Sequence, residues 1–206
     1  MSQLYELATL SCPLLSASQV SESVHSWVAA PEATGTVLGC WRTEIGTLGR
    51  LLVLRGFENA DEVGAEVRRA LLSTNPFNAG TTVTALEMDS YAPFPFLPPV
   101  KTDGDGKVYE FRTYRLKPGG LPPTLAGWEQ AIEPAREYTV HLVTNLYALD
   151  GPLRIAHIWR FASLEERSSL RSQVYAAEVW PPQGGPENIL EATSTIALPE
   201  TWAPRP

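Results

Sequence analysis

Glu110, Arg112 and Tyr114 alternate along one β-prone run, Val108–Leu116, and residues two apart on a strand project from the same face. A guanidinium there can hold and stabilise a carboxylate, enolate or phenolate oxygen, and a phenol beside it can donate a hydrogen bond. A second run, Arg154–Phe161, carries His157 on one face with Trp159 and Phe161. An imidazole titrates near neutral pH, which makes His157 the candidate to move a proton. Arg167 and Arg171 follow one helical turn apart and share a face that could bind an anionic group bidentately. Arg112, Tyr114 and His157 are therefore the candidate catalytic residues. Glu110, Arg167, Arg171, Trp159 and Tyr147 are the candidates for binding substrate, the two aromatics as pocket walls.

Each has a blander alternative. Glu110 with an arginine could be a buried ion pair that fixes the strand, since a covered polar face is costly unless it is paired or lines a ligand. His157 could be a hydrogen-bonded core histidine, Arg167 and Arg171 could extend to water along their stems, and Trp41, Trp159 and Tyr147 could be plain core. Other chemistries find no support. The three histidines, His25, His141 and His157, are scattered, and no paired-cysteine or Asp-rich loop has metal-ligand spacing. No Gly-rich phosphate loop follows a strand, and no nucleophile elbow is present. The expected cofactor is none.

The elements that must position these residues are organised by a repeat. Shifting the sequence by 104 positions lays Tyr5-Glu6-Leu7 over Tyr109-Glu110-Phe111, Arg50–Leu54 over Arg154–Ile158, Phe57 over Phe161, and Asp61-Glu62 over Glu165-Glu166. One offset serving separated matches signals duplication. Each half reads strand, helix, strand, strand, helix, strand. The first has strands over 4–10, 35–45, 50–57 and 81–88, with helical stripes Val20/Val24/Trp27/Val28 and Val63/Val67/Ala70/Leu71. The second has strands over 108–116, 140–148, 153–161 and 189–198, with helices over 124–138 and 164–179; Pro134 should kink or shorten the first of these. The expected class is α+β, tandem ferredoxin-like βαββαβ units: residues 1–96 as a degenerate scaffold repeat, 97–107 as linker, 108–206 as the site-bearing repeat.

Composition bounds the partners. A chain of 206 residues, 44% apolar, with a formal charge of −7 and no basic stripe is a globular protein and a poor binder of nucleic acid. Its longest apolar patch, Pro93–Val100, is broken by four prolines and cannot span a membrane. Only Ser2, Gln3 and Leu4 separate Met1 from the first strand-like residues, so no targeting segment is expected and the predicted location is cytoplasmic. Cys12 and Cys40 are expected to be free, buried thiols.

The segment from Val108-Tyr109-Glu110-Phe111-Arg112-Thr113-Tyr114 through Leu116-Lys117-Pro118-Gly119 resembles the opening strand of NIPSNAP-family domains. His157-Ile158-Trp159-Arg160-Phe161, followed by Ser163-Leu164, Arg167 and Arg171, is similar to that family's strand-to-helix segment. The first half departs at key places: Ala8 replaces Arg112, Leu10 replaces Tyr114 and Val53 replaces His157. The resemblance implies a dimeric α/β-barrel architecture, here within one chain. That superfamily is similar in fold to cofactor-free monooxygenases, cyclases, isomerases and some haem proteins, with His157 the one credible axial ligand for a haem. The leading expectation is a cofactor-independent small-molecule enzyme of isomerase, cyclase or oxygenase type, in secondary metabolism, with one site per chain and a small anionic or aromatic substrate. The alternative is a non-catalytic ligand-binding or protein-interaction module. A homodimer is compatible with either.

Overall fold

The computed structural model of the chain describes residues 3–206. Eight strands, β1 Leu4–Ser11, β2 Thr36–Ile45, β3 Arg50–Phe57, β4 Ala85–Pro93, β5 Val108–Leu116, β6 Leu142–Ala148, β7 Arg154–Phe161 and β8 Ile189–Pro199, close into a barrel. Five helices, α1 Ala17–Val28, α2 Ala60–Leu72, α3 Leu121–Ala131, α4 Arg136–Thr139 and α5 Leu164–Ala176, connect them. The order around the barrel is β1-β3-β2-β8-β5-β7-β6-β4, with all neighbours antiparallel. Each half therefore supplies a four-stranded sheet, and the two sheets join at the β2–β8 and β4–β6 seams. Closure leaves no free sheet edge. The structure is a tandem pair of ferredoxin-like units that close one barrel within a single chain.

The period-2 alternation of the strands sorts side chains into two environments. Tyr5, Trp41, Tyr109, Phe111, Leu146 and Ile158 fill the barrel interior. The opposite faces carry the helices: Ala8, Leu10 and Val53 pack under Val20, Val24 and Trp27 in the first half. In the second, Trp159 and Phe161 pack with Trp128, Tyr138 and Trp180. Matching caps set the second helix of each half. Asn59 accepts from the Glu62 amide at 3.0 Å and Ser163 from the Glu166 amide at 3.1 Å, while both glutamates reach back to the chain ahead of the cap.

Several boundaries differ from the sequence reading, among them the end of β4 at Pro93 rather than residue 88 and the start of β6 at Leu142 rather than residue 140. β4 begins at Ala85 rather than residue 81, because residues 76–78 and 80–82 form tight turns that bury Phe77 against Trp27, ring centroids 5.6 Å apart. The helix expected over 124–138 starts at Leu121, with Pro122 and Pro123 tolerated in its first turn. It breaks near Pro134 and resumes as α4, which carries Tyr138 into the core. α5 stops at Ala176, short of Val179.

One feature occurs in both halves. Glu6 and Glu110 are fully buried on the helix side of the first strand of their halves. Glu6 is paired by Arg55 from β3, whose Nη2 lies 2.6 Å from its carboxylate. Arg55 also pairs Glu66 of α2, which Arg69 pairs in turn at 2.9 Å. Removing one member of a buried pair leaves an uncompensated charge and costs about 3–5 kcal/mol. Arg55→Met is accordingly expected to lower unfolding free energy in urea by about that much, and Glu6→Leu/Arg55→Met by less than the sum of the single changes. Additive losses would show that the two side chains are not coupled.

Candidate functional site

Along the register, Asn145 of β6 lies opposite His157 of β7, His157 opposite Arg112 of β5, and Arg112 opposite Ser194 of β8. Four polar side chains thus cross the helix-facing side of the second sheet in one row. The same row in the first half reads Cys40, Val53, Ala8 and Met88, and it is packed as apolar core. Duplication preserved the row and replaced its chemistry.

Under that row a cavity of about 160 Å³ opens, lined on the sheet side by Arg112, Tyr114, Ile155, His157 and Ile189. Thr124 and Trp128 of α3, Tyr175 of α5, and the connection through Trp180, Pro181, Pro182, Gly185 and Pro186 complete the wall. That connection lies tight on α3: a Cβ at Gly127 would sit 2.1 Å from the Gln183 carbonyl oxygen. Only a glycine there lets the roof close. An apolar cavity of roughly 150 Å³ can hold a benzene ring, so this one fits a single ring or a short branched chain. A larger cleft of about 480 Å³, around Thr34, Phe57 and Lys101, has no buried unpartnered polar atom among its lining residues.

His157 is almost entirely buried, and its Nδ1 lies 2.7 Å from Trp159 Nε1. An indole N–H can only donate, so Nδ1 is the acceptor and the hydrogen of the neutral ring sits on Nε2. Burial pushes its pKa well below the ordinary 6.5, and the charges of Arg112 and Arg171 push it the same way. Nε2 has no partner among the described residues. This geometry bears on the proton-moving role expected of His157. Nε2 has no lone pair to offer a proton, and protonating Nδ1 would set it against the indole N–H. In this geometry His157 lines the cavity as a hydrogen-bond donor through Nε2, and acting as a base would require it to give up the Trp159 bond or change tautomer.

The same holds for Glu110. Its carboxylate accepts two bonds from Arg167, at 2.8 and 2.5 Å, and one from the Ser194 hydroxyl at 2.6 Å; Arg112 Nε stands 3.2 Å away. Burial raises its pKa, but these partners outweigh burial and hold it below the ordinary carboxylate value. Glu110 and Arg167 are therefore spent on each other and do not reach the cavity. Trp159 lies behind His157 without lining the cavity, and Tyr147 lines a separate cleft with Tyr5 and Phe94. Trp41 belongs to the barrel interior. Arg171 stands behind the wall: its Nη2 donates to the Tyr175 hydroxyl at 3.2 Å, and its Nη1 is buried without a partner.

Arg112, Tyr114 and His157 do meet at the cavity, the Tyr114 and His157 rings edge-on at 4.7 Å. Burial raises the Tyr114 pKa, so its hydroxyl remains a donor at neutral pH. Tyr138 and Asn145 escaped the sequence reading. Tyr138 is fully buried, stacked on Trp159 at 4.3 Å, with an unpartnered hydroxyl held near pKa 12 chiefly by burial. Asn145 is fully buried with both amide atoms unpartnered. A polar residue in the apolar run Leu142–Ala148 was the available signal for Asn145, whereas nothing near Tyr138 marked it. A haem does not fit, because the cavity holds one ring and His157 Nε2 carries a hydrogen.

A closed antiparallel barrel with helices outside, and a polar pocket between one sheet and its helices, defines a dimeric α/β-barrel protein folded as a single chain. The NIPSNAP family model matches residues 109–204, and that segment, the second half of the chain, is a NIPSNAP-family domain. A NIPSNAP homologue from Dictyostelium discoideum is 26% identical over an alignment covering 69% of this chain and 65% of that protein. The chain thus spans under two thirds of the curated relatives it matches. A solved NIPSNAP family protein of unknown function from Agrobacterium tumefaciens is 32% identical, covering 48% of this chain and 93% of that one, with a TM-score of 0.43. A protein from Lactobacillus acidophilus, described as a proposed monooxygenase, matches the fold over 100% of this chain and 97% of its own at a TM-score of 0.69 and 12% identity. Among the described residues no helix is long and apolar enough to cross a membrane.

The neutral state of His157 has a thermodynamic signature. Its pKa is depressed in the folded chain, so below pH 6.5 the unfolded chain binds the proton that the folded one refuses. The stability tied to it is fully present above that pH and is lost as pH falls. Between about pH 6.5 and 5, where carboxylates are still ionised, stability should fall by up to about 1.4 kcal/mol per pH unit, and His157→Asn should flatten that slope. A slope unchanged by the substitution would place the proton elsewhere. Trp159→Phe should free Nδ1, and ¹⁵N shifts of the ring would then report a mixture of tautomers in place of one.

Proposed function

We propose that the chain is a cofactor-independent small-molecule enzyme whose second half stabilises an oxyanion, the enolate or phenolate through which isomerases, cyclases and cofactor-free oxygenases all work. One observation carries the reading: the unpartnered Nε2–H of a neutral His157 and the guanidinium of Arg112 face the same one-ring cavity. Donors fixed before the reaction, in a site shielded from water, favour charge where it develops without having to reorganise. Tyr114 supplies a third donor. Trp128, Trp180 and the prolines supply the apolar wall that a planar ring would stack on. The fold shared with a protein described as a proposed monooxygenase is compatible with this chemistry and does not select it.

The same lining favours a second reading, a binding module. No carboxylate lines the cavity, and Glu110 is tied to Arg167, so a substrate must be acidic enough to lose its proton to water. Two measurements separate the readings. The apparent pKa of a small nitrophenol, followed by its phenolate absorbance, should fall by about one pH unit or more on binding, as expected beside an arginine, and Arg112→Gln should remove the effect while the melting curve stays cooperative. An unchanged pKa in the wild-type protein would sink the oxyanion site. Deuterium exchange into a small 1,3-diketone, if faster than in buffer, indicates an enzyme; tight binding with no exchange indicates a binder.

A further inference from the structure

The fields acting on the Tyr138 hydroxyl come from Arg171, Glu110, Arg112 and Arg167. Glu110 is bonded by Arg167 and stands 3.2 Å from Arg112, and Arg171 sits one turn further along α5, so one carboxylate and three guanidiniums leave an excess of two positive charges in this partly buried layer of a chain whose formal charge is −7. Arg167 is the guanidinium that hydrogen-bonds Glu110, with two bonds. Arg112 shares the same carboxylate only through Nε, 3.2 Å away, while Arg171 forms no ion pair among the described residues and has a buried Nη1 without a hydrogen-bond partner. Tyr114 lies in the field of both. An enolate or phenolate oxygen between Arg112 and His157 would balance one charge. The other, on Arg171, lies behind Tyr175, a side chain that is 44% exposed and offers only a neutral hydroxyl to the guanidinium.

We infer that the substrate carries a carboxylate in addition to its reacting oxygen, and that Arg171 receives it in place of the Tyr175 hydroxyl. The substrate class is a one-ring hydroxy acid or a short enolisable keto acid. The cavity volume admits one ring, and a carboxylate on it would leave past the exposed edge that Tyr175 forms. Guanidinium–carboxylate pairing is stronger than guanidinium–phenol pairing because both partners are charged and the geometry is bidentate. The inference rests on the oxyanion reading above, and the test keeps their failures apart.

The experiment compares phenol with hydroxybenzoate by calorimetry on the full chain, using wild-type protein, Arg171→Gln and Arg171→Lys. Hydroxybenzoate is expected to bind wild-type protein about tenfold or more tightly than phenol, as a charge-assisted pair provides. That ratio should collapse toward one in Arg171→Gln and be partly restored in Arg171→Lys, whose charge is kept and whose fork is lost. Phenol binding with a wild-type ratio near one would overturn the carboxylate inference and leave the oxyanion site standing. A large ratio that survives Arg171→Gln would overturn the assignment to Arg171. If neither compound binds, the oxyanion reading falls and this inference with it.

Discussion

A carboxylate buried on the first strand of each half must find a cation, and where the cation comes from decides what else that half can be. An isolated buried carboxylate is untenable. In the first half the cation is Arg55, on the neighbouring strand. In the repeat register Arg55 corresponds to Trp159 and Val63 to Arg167. The second half therefore takes its cation from the helix above and leaves the strand position to an indole. That exchange has consequences in sequence. An indole at 159 can donate to residue 157, two positions along the same face, so a histidine there acquires a fixed tautomer and an outward donor. A helix that must deliver guanidiniums cannot also present an apolar stripe, and α5 buries Val174 alone where α2 buries Val63, Glu66 and Ala70. The thinner packing under α5 is what leaves room for a cavity.

The barrel was legible from sequence because its determinants are periodic. Alternation along the strands, the helical stripes and the single offset linking Glu6 to Glu110 and Glu62 to Glu166 all report on backbone geometry. Boundaries failed where a local need overrode the pattern: burial of Phe77 delayed β4, and Pro134 split a helix whose second piece exists to bury Tyr138. The site was legible only by residue type and face. Arg112, Tyr114 and His157 meet because alternation on adjacent strands must bring them together. That Glu110 and Arg167 would consume each other depended on the height and rotation of α5, which periodicity does not specify. The tautomer of His157 depended on a 2.7 Å contact between two side chains, information that exists only once the strand is built.

Asn145 and Ser194 mark a different limit. Each reaches the row through strand register, which connection lengths set: the paired Asn145 and His157 are 12 residues apart and the paired Cys40 and Val53 are 13, while β2 and β6 carry equivalent bulges. The 104-residue offset sets Asn145 against Trp41, whereas strand pairing makes Cys40 its counterpart. A one-residue slip in a strand exchanges its two faces. Read by offset, Asn145 falls on a position that faces the barrel interior, and the polar row stays hidden.

The first half is then more than a relic. A polar row, unpartnered donors and surplus positive charge beneath one helix are each costly, since an unsatisfied buried polar group forfeits about 1–3 kcal/mol. A sheet carrying them alone would also expose two edges. Here β8 is paired by β2 and β6 by β4, so both edges of the polar sheet are closed by strands whose own helix side is apolar and well filled. Two identical halves would place the same burden on both sheets and double its cost. Joining two unequal copies in one chain fixes which sheet is apolar and which one is polar on its helix side: Ala8, Leu10 and Val53 pack as core in the first half, and Arg112, Tyr114 and His157 occupy the corresponding places beside a cavity in the second. The asymmetry that hides the repeat in the sequence is what gives the second half its polar cavity.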